Sequence, residues 1–362
     1  DVRLDAASAR DAREGERQML AEIDRLESIL SIYNPASEIS RVKAGGAVES
    51  PELADVLAAY DLWSARTGGA LSSNLAEVIS LWKQAAATGR APDASALAAA
   101  FAQPRALNID ALGKGYVIDR TVDVARRFAP AGMLNLGGDI RVWGDQTWMV
   151  GIANPRDSAD NAAPLLKFPL RDAAVATSAG YARYYEIGGQ RYSHLIDPRT
   201  LRPIDAEMSA TVVAKDGLTA NALSTATAVL GLNDGAALAR AYGDDHLIVG
   251  AAAPTPSERI PVATASPVAL VANDSWPAGF QMAVTVALKS AEGRRFKRPY
   301  VAVWVENHDQ KVVRTLTIWG QQGRYLPELT KWWRATGGNH SIVQSVSRAT
   351  RQPGAYTLAC DG

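Results

Sequence analysis

The chain has 362 residues, no net charge and 47% hydrophobic residues, a composition typical of a globular protein of about two domains. Its 38 basic and 38 acidic residues argue against a protein that coats nucleic acid or lies on an anionic membrane, because both need a basic face. The single cysteine, Cys360, excludes a disulfide framework, and four scattered histidines argue against a His-rich zinc site. No apolar run approaches the ~18 residues of a membrane span.

Helical periodicity dominates the first hundred residues. Apolar residues from Met19 to Leu30 recur every three or four positions, which predicts a helix that ends before Asn34-Pro35. A second helix is predicted from Pro51 to Gly68-Gly69, because proline suits the first turn and glycine the end of a helix. An alanine-rich third helix is predicted over about residues 93–103.

Short apolar runs separated by glycine-containing turns follow from about Leu107. They predict strands at Met133–Leu136, Ile140–Trp143, Trp148–Ile152, Ala174–Ala176, Tyr184–Ile187, Arg191–Leu195, Ala210–Ala214 and His246–Gly250. Gly188-Gly189-Gln190 predicts a hairpin between two of these strands, and Ala220–Gly231 predicts a helix. Since the pattern lacks a regular βαβ repeat, the predicted fold class is α+β.

The last hundred residues predict a separate, all-β domain. Residues 251–273 are rich in proline and alanine and predict a linker between residues 1–250 and residues 274–362. The final region carries β-branched runs, which predict a small sandwich-like domain with one short helix at Trp332-Trp333. We expect this domain to stop short at Asp361-Gly362, with its last strands missing.

Four short blocks hold residues that could carry chemistry, and two of them also contain glycines. In Gly113-Lys114-Gly115 a loop is predicted to meet a helix, where free N–H groups and a lysine suit a phosphate; the alternative is a turn with an exposed lysine. Taken alone, Gly137-Gly138-Asp139 is better explained as a bulge or tight turn between two strands, and Ala176–Ser178 as a turn at the end of a strand. Ser193–Pro198 places His194 in a polar loop, but no G-x-S-x-G sequence supports a Ser-His-Asp triad.

Taken in order, these blocks resemble the ApbE family of FAD:protein FMN transferases over about residues 1–250. The matching pieces are Leu30–Tyr33 with Ser37–Ser40, Gly69–Leu71 with Leu81-Trp82, Gly113–Tyr116 with Asp119, Gly137–Asp139, Ala176–Ser178, Arg191–Pro198 with Thr200 and Pro203, and Asn221–Thr225. The C-terminal part is similar to a domain of unknown function that is often fused behind such proteins.

The resemblance implies that the protein binds FAD and Mg²⁺ and moves FMN onto a threonine of a target flavoprotein, with release of AMP. It implies a cofactor site at Tyr33, Ala70, Leu71, Ser72, Lys114, Asp119, Gly138, Ser178 and His194. It implies metal ligands at Gly113, Asn221 and Thr225, and it makes His194 and Asp197 the candidates for the general base.

Two positions depart from the family pattern. Asn221 stands where the family has a metal-binding aspartate, and Ser72 replaces an acidic residue. An amide oxygen attracts a divalent cation less strongly than a carboxylate, so we expect weak magnesium binding. Two alternatives therefore stay open beside the transferase: a flavin-binding protein with little or no transferase activity, and an FAD pyrophosphatase in which water replaces the threonine.

The expected location and partners also follow from the resemblance. Family members act outside the cytoplasmic membrane, so we expect a periplasmic or cell-envelope protein, and because the chain starts at Asp1 we expect that something upstream has been removed. The expected partners are FAD and an acceptor flavoprotein with a target threonine, with no nucleic acid. We expect the β-rich domain to dock a protein or the cell envelope.

Overall fold

The computed structural model describes residues 1–154, 164–181, 183–249, 255–256, 281–289, 299–307, 309, 311–320, 323–337, 347–348 and 354–361. These residues divide into two compact units. The larger one comprises the described residues within 2–150 and 167–262, with the central sheet and the first seven helices; the smaller one comprises those after residue 262, together with Asp1 and the described residues within 151–166. Within the described ranges, no helix is both long and apolar enough to cross a membrane.

Helices form most of the N-terminal third, after a short first strand, β1 (Val2–Asp5). The helices are α1 (Ala9–Leu30), α2 (Glu38–Lys43), α3 (Pro51–Arg66), α4 (Ala76–Thr88), α5 (Ala94–Phe101) and α6 (Asp110–Ala125). The side chains of Ser8, Ser50 and Asp93 accept from the first-turn N–H groups of α1, α3 and α5, which fixes where these helices begin. The three helices predicted in this region are thereby confirmed, with α1 starting ten residues earlier than the apolar pattern does.

The strands that follow build an antiparallel sheet. They are β2 (Ala131–Leu136), β3 (Asp139–Trp143), β4 (Trp148–Ile152), β5 (Leu166–Leu170), β6 (Ala174–Ala179), β7 (Tyr184–Ile187), β8 (Gln190–Ser193), β9 (Ile196–Asp197), β10 (Arg202–Pro203) and β11 (Ser209–Ala214), then helix α7 (Gly217–Tyr242), β12 (Asp245–Val249) and β13 (Thr255–Pro256). The seven-stranded central sheet has the order β1-β2-β3-β6-β11-β12-β13. The remaining strands pair two by two, as β4 with β5, β7 with β8 and β9 with β10.

The core of the larger unit lies between this sheet and helices α1, α3, α6 and α7. All six residues of β11 are buried, as expected of a strand covered on both faces, and α7 packs against it. Thr177 of β6 pairs with Thr211 of β11, and Ser178 with Ala210, so the end of β6 lies beside the first turns of α7. The fold thus brings the start of β3 and the end of β6 to the first turns of two helices, α6 and α7.

Two predicted turns have the conformation that their glycines favour. Gly137 and Gly138 adopt φ of 64° and 98° between β2 and β3, and Gly188 and Gly189 adopt 59° and 80° between β7 and β8. Positive φ is strained for other residues, so glycine is needed in these two-residue hairpin turns. Both hairpins are confirmed.

Three features of the larger unit differ from the sequence-based expectation. Gly113-Lys114-Gly115 lies inside α6, which begins at Asp110, and is not a loop before a helix. Helix α7 continues past the predicted end at Gly231 to Tyr242, with a kink where Gly231 has φ of 81°. Helices α2 and α4 were not predicted from the sequence.

The smaller unit is β-rich, which confirms the predicted class of the C-terminal region. Its elements are β14 (Gln281–Leu288), β15 (Val301–Glu306), β16 (Val312–Trp319), a 3₁₀ helix (Gly323–Glu328), α8 (Thr330–Ala335), β17 (Ser347–Arg348) and β18 (Gly354–Asp361). Strands β14 and β18 form one sheet, β15, β16 and β17 another, and both contribute to one apolar cluster around Leu316, Trp319 and Leu358. Most of the expected linker, 251–273, lies outside the described residues; within it, β13 pairs with β12.

Candidate functional site

Helices α6 and α7 touch through two glycines at their N-terminal ends. A Cβ atom on Gly115 would lie 2.3 Å from the carbonyl oxygen of Gly217, so only glycine allows this approach. The contact brings the first turns of both helices together, and the Gly115 N–H donates to Oδ1 of Asn221 at 3.1 Å. Residues of α6 and α7 that lie about 106 positions apart in sequence therefore share one site.

A lysine, a carboxylate and an amide meet at this junction, and we call them the lysine cluster (Lys114, Asp139 and Asn221). Lys114 Nζ lies 2.7 Å from Asp139 Oδ2, and Asn221 Nδ2 donates to the same oxygen at 3.0 Å. Asp139 and Asn221 are only 5% and 4% exposed, whereas the Lys114 side chain is 36% exposed. The cluster thus presents one ammonium group to solvent from a buried, hydrogen-bonded base.

Three hydroxyls, one from the end of β6 and two from the adjoining turn of α7, form a hydroxyl cluster (Ser178, Ser224 and Thr225). Ser178 Oγ lies 3.1 Å from Ser224 Oγ and 3.0 Å from Thr225 Oγ1. Ser224 Oγ also donates to the carbonyl oxygen of Asn221 at 3.2 Å, which links the hydroxyl cluster to the lysine cluster. Hydroxyls can donate to phosphate oxygens, so the two clusters together have the chemistry of an anion site.

A second group of polar side chains lies around the start of α6, and we call it the rim cluster (Tyr33, Asp110, Arg183 and His194). The Tyr33 hydroxyl donates to Asp110 Oδ2 at 3.2 Å, and the Tyr33 side chain is 73% exposed. Partial burial of the hydroxyl, together with the negative charge of Asp110, raises the pKa of Tyr33. Asp110 precedes Lys114 by one helical turn, so α6 connects the rim cluster to the lysine cluster.

The half-buried His194 is oriented by one backbone group. Its Nδ1 lies 2.9 Å from the carbonyl oxygen of Arg183, and since a carbonyl only accepts, Nδ1 carries the proton and Nε2 the lone pair. Burial, reinforced by the charge of Arg183, lowers the pKa of His194 below its ordinary value of 6.5. Neutral His194 is therefore chemically suited to accept a proton through Nε2.

Two carboxylates that the resemblance assigned to the site, Asp197 and Asp119, form hydrogen bonds with other groups of the chain. Asp197 is buried, and its two oxygens accept from Nε and Nη2 of Arg199 at 2.9 and 2.8 Å. Asp119 accepts from the N–H groups of Gly217 and Leu218 at 2.7 and 2.8 Å, so it caps the start of α7. Burial raises the pKa of Asp119 to about 6, because its charged form is poorly solvated there. The geometry therefore gives both groups a role in positioning elements of the chain.

The other predicted cofactor residues fall into three environments. Ala70 and Leu71 are 1% and 2% exposed and belong to the hydrophobic core. Ser72 is half-buried, and its Oγ accepts from the Asn74 N–H at 3.1 Å. Gly138 is exposed in the turn that positions Asp139, and its N–H donates to Oδ1 of Asn135. Of these residues, only Gly138 lies next to the lysine cluster in sequence.

The residues present do not fit a divalent cation held by the protein. The Asn221 oxygen already accepts from Gly115, and its amide nitrogen faces Asp139, whose charge is matched by Lys114. Of the other expected ligands, Thr225 is hydrogen-bonded to Ser178, while Gly113 lies in the first turns of α6. In the described part of the chain, no three His, Cys, Asp or Glu residues form a group that could hold a metal ion.

Asp139, Asp110 and Arg183 were not proposed as site residues from the sequence, although all three contact residues that were. Asp139 ends the Gly-Gly-Asp block, and Asp110 lies four residues before Lys114, so block membership and helical spacing could have identified them. No sequence pattern marks Arg183, whose backbone oxygen meets His194 across a hairpin.

Two family models match the chain, and together they cover both units. The ApbE family model matches residues 2–248, and a model described as a predicted periplasmic protein (DUF2271) matches residues 281–362. The first match covers more than half of the chain. The second covers the β-rich C-terminal region.

Curated relatives with similar sequences are FAD:protein FMN transferases. One from Klebsiella pneumoniae (strain 342) is 34% identical over 140 residues, which is 38% of this chain and 43% of the relative. Another, from Haemophilus influenzae, is 28% identical over 238 residues, which is 56% of this chain and 68% of the relative. The chain thus spans less than half the length of the Klebsiella relative.

Solved structures share the fold of the larger unit. The apo form of the flavinyl transferase ApbE from Pseudomonas stutzeri has a TM-score of 0.58 at 25% identity, covering 71% of this chain and 90% of that one. An ApbE protein from Thermotoga maritima has a TM-score of 0.60 at 25% identity, covering 71% and 93%.

Proposed function

This chain belongs to the ApbE family, and from that premise we propose that it transfers FMN from FAD to a threonine hydroxyl of a target flavoprotein and releases AMP. The observation that carries the proposal is the lysine cluster, which holds one ammonium group at the junction of two helix N-termini. Breaking a pyrophosphate needs charge neutralisation on its phosphates, and a fixed ammonium beside hydroxyl donors can supply it. The names of the relatives support transfer of FMN from FAD to a protein.

In the proposed reaction the threonine oxygen attacks the phosphorus on the FMN side of FAD. A bond forms between that oxygen and phosphorus, the bond from phosphorus to the bridging oxygen breaks, and AMP leaves with the bonding electrons. His194 takes the threonine proton at Nε2, because its Nδ1 proton is committed to a backbone carbonyl. Lys114 stabilises the charge on the phosphate oxygens, and Asp139 keeps its ammonium in place.

The flavin or adenine ring is proposed to lie against Tyr33 and the segment Ala70–Ser72. The Tyr33 ring is exposed and could stack on a planar ring system. Ala70 and Leu71 are buried, so this segment would border the ligand through Ser72 and the backbone. Ser178 would contribute through the hydroxyl cluster. The resemblance also implies Mg²⁺, but since the residues present do not fit a protein-held ion, no step of this proposal passes through one.

A second candidate function is supported by Asn221. The family pattern places a metal-binding aspartate at this position, and the amide here is directed at Gly115 and Asp139 instead. A chain with this change would bind FAD and transfer FMN poorly. An FAD pyrophosphatase, which would give FMN and AMP with water as the nucleophile, stays a further alternative, but it needs the same neutralisation of phosphate charge, so Asn221 does not favour it. We further propose export to the periplasm or cell envelope, supported by the description of the C-terminal family as predicted periplasmic.

One incubation separates these functions. The protein is mixed with FAD and an acceptor domain that a related FMN transferase modifies, once with Mg²⁺ and once with EDTA. Mass spectrometry that finds FMN on the acceptor threonine supports the transferase, and an acceptor with that threonine changed to valine is the control. Free FMN plus AMP in the absence of acceptor indicates the pyrophosphatase, whereas unchanged FAD that stays bound indicates the binding protein.

A further inference from the structure

The orientation of the Asn221 amide is fixed by its neighbours. The Gly115 N–H can only donate, so the atom that faces it at 3.1 Å must be the amide oxygen. The NH₂ group then necessarily faces the carboxylate of Asp139, at 3.0 Å from Oδ2. An aspartate at this position could still accept from Gly115, but its second oxygen would face a carboxylate.

The charge of Asp139 is balanced by groups of the chain itself. Its Oδ2 accepts from Lys114 and Asn221, and its Oδ1 accepts from the Thr177 N–H at 3.4 Å. A buried carboxylate is costly unless it is paired and hydrogen-bonded, and these three donors meet that requirement. The cluster is therefore electrostatically complete without a divalent ion.

We infer that Asn221 replaces a divalent cation in this chain, and that the protein binds FAD through Lys114 without a metal ion held by its own residues. Asp139 explains why the residue at position 221 decides whether a metal ion binds. With an aspartate at position 221, two buried carboxylates would lie within hydrogen-bond distance of each other. Like charges that close call for a cation or a shared proton, and two carboxylates with a nearby hydroxyl suit Mg²⁺. The inference rests on the proposed function only in naming FAD as the ligand.

Magnesium titration without FAD tests the cluster directly. Calorimetry and thermal unfolding are measured with MgCl₂ and with EDTA for the wild type, Asn221→Asp and the double variant Asn221→Asp with Asp139→Asn. We expect Asn221→Asp to bind Mg²⁺ roughly tenfold or more tightly than the wild type, because ligand charge sets the affinity of such sites. The double variant should lose that gain. Asn307→Asp, an exposed turn position whose Oδ1 accepts from two backbone N–H groups, is the matched control and should gain nothing.

Several results would overturn the inference. The first is equal magnesium affinity of the wild type and Asn221→Asp. The second is a gain in magnesium affinity that survives in the double variant, and the third is an equal gain in Asn307→Asp. A second measurement needs no substitution: FAD affinity of the wild type should be the same in MgCl₂ and EDTA, and release of FAD by EDTA would contradict the inference. If the wild type binds no FAD under either condition, the proposed function fails, while the titration without FAD still decides the inference.

Discussion

Lys114 is the residue on which the proposed FAD site most depends. Its ammonium lies between the buried Asp139 and solvent, so Lys114→Ala removes the charge from the phosphates and leaves the Asp139 carboxylate less well paired. Both effects oppose an anionic ligand, and we expect FAD affinity to fall by on the order of 1–3 kcal/mol, the range for charged hydrogen bonds. Titration with FAD followed by flavin fluorescence measures this. Lys83→Ala, at an exposed position of α4, is the control, and equal affinities of the two variants would remove Lys114 from the site.

His194 gives the proposed reaction a defined pH dependence. A general base must be deprotonated, and burial keeps the pKa of His194 below 6.5, so its neutral form persists to a lower pH than in an ordinary histidine. We expect the rate of FMN transfer to stay level as the pH falls from neutral and to decline only below 6.5. His194→Gln should abolish most of the rate. His246→Gln, at a buried histidine whose pKa is also lowered by burial, should leave the rate unchanged. A rate that persists in His194→Gln would assign the proton to another group.

At the scale of elements, Asp119 connects α6 to α7 through hydrogen bonds. It caps two N–H groups at the start of α7 while belonging to α6, and Arg141 and Asp216 are the charged groups that face it. Its pKa rises from 3.8 to about 6 on folding, so between those values the folded chain holds a proton that the unfolded chain has lost. The resulting stabilisation is full below pH 3.8 and is lost as the pH rises through 6.

Asp119→Asn removes the titrating carboxyl group and therefore tests whether Asp119 makes the stability depend on pH. The free energy of unfolding of the wild type, relative to the variant, should increase by on the order of 1–3 kcal/mol as the pH falls from 7 to 4. Urea unfolding at several pH values measures the difference. Asp123→Asn makes the same change at an exposed position of α6 and is the control. A constant difference between wild type and Asp119→Asn would mean that Asp119 does not titrate in this window.

Capping explains in part which helices could be predicted from the sequence, since α2 also begins at a capping side chain, Ser37, but has only six residues and was not predicted. Helices α1, α3 and α5 begin at Ser or Asp side chains that accept from first-turn N–H groups, and all three were predicted. Helices α4 and α6 begin after Leu75 and Ile109, which form no side-chain cap, so their starts carry no sequence pattern. In α6 the two glycines also suggested a turn, and the reason that Gly115 is needed within a helix, its contact with Gly217, is a tertiary one.

At the scale of the molecule, the resemblance identified the blocks but not the contacts between them. It placed Lys114, Ser178, Asn221 and Thr225 in one site, and the structure brings these residues together through hydrogen bonds and an ion pair. It did not reveal that Asp119 caps α7, since that contact joins residues 98 positions apart and depends on how two helices cross. Periodicity and turn chemistry act locally, whereas the partner of a buried polar group is decided by packing.

The regions of the chain before and after the proposed linker 251–273 are expected to fold independently. The apolar clusters around the central sheet and around Leu316, Trp319 and Leu358 are each composed of residues from one unit, so each unit has its own core. Every proposed site residue lies before residue 251. Cutting the chain near Pro267 should therefore leave an N-terminal fragment that stays soluble, unfolds cooperatively and binds FAD within about twofold of the full chain, a difference of under about 0.5 kcal/mol. Circular dichroism and FAD titration of both proteins measure this, and a fragment that aggregates or loses FAD would place the C-terminal region in the core of the flavin-binding unit.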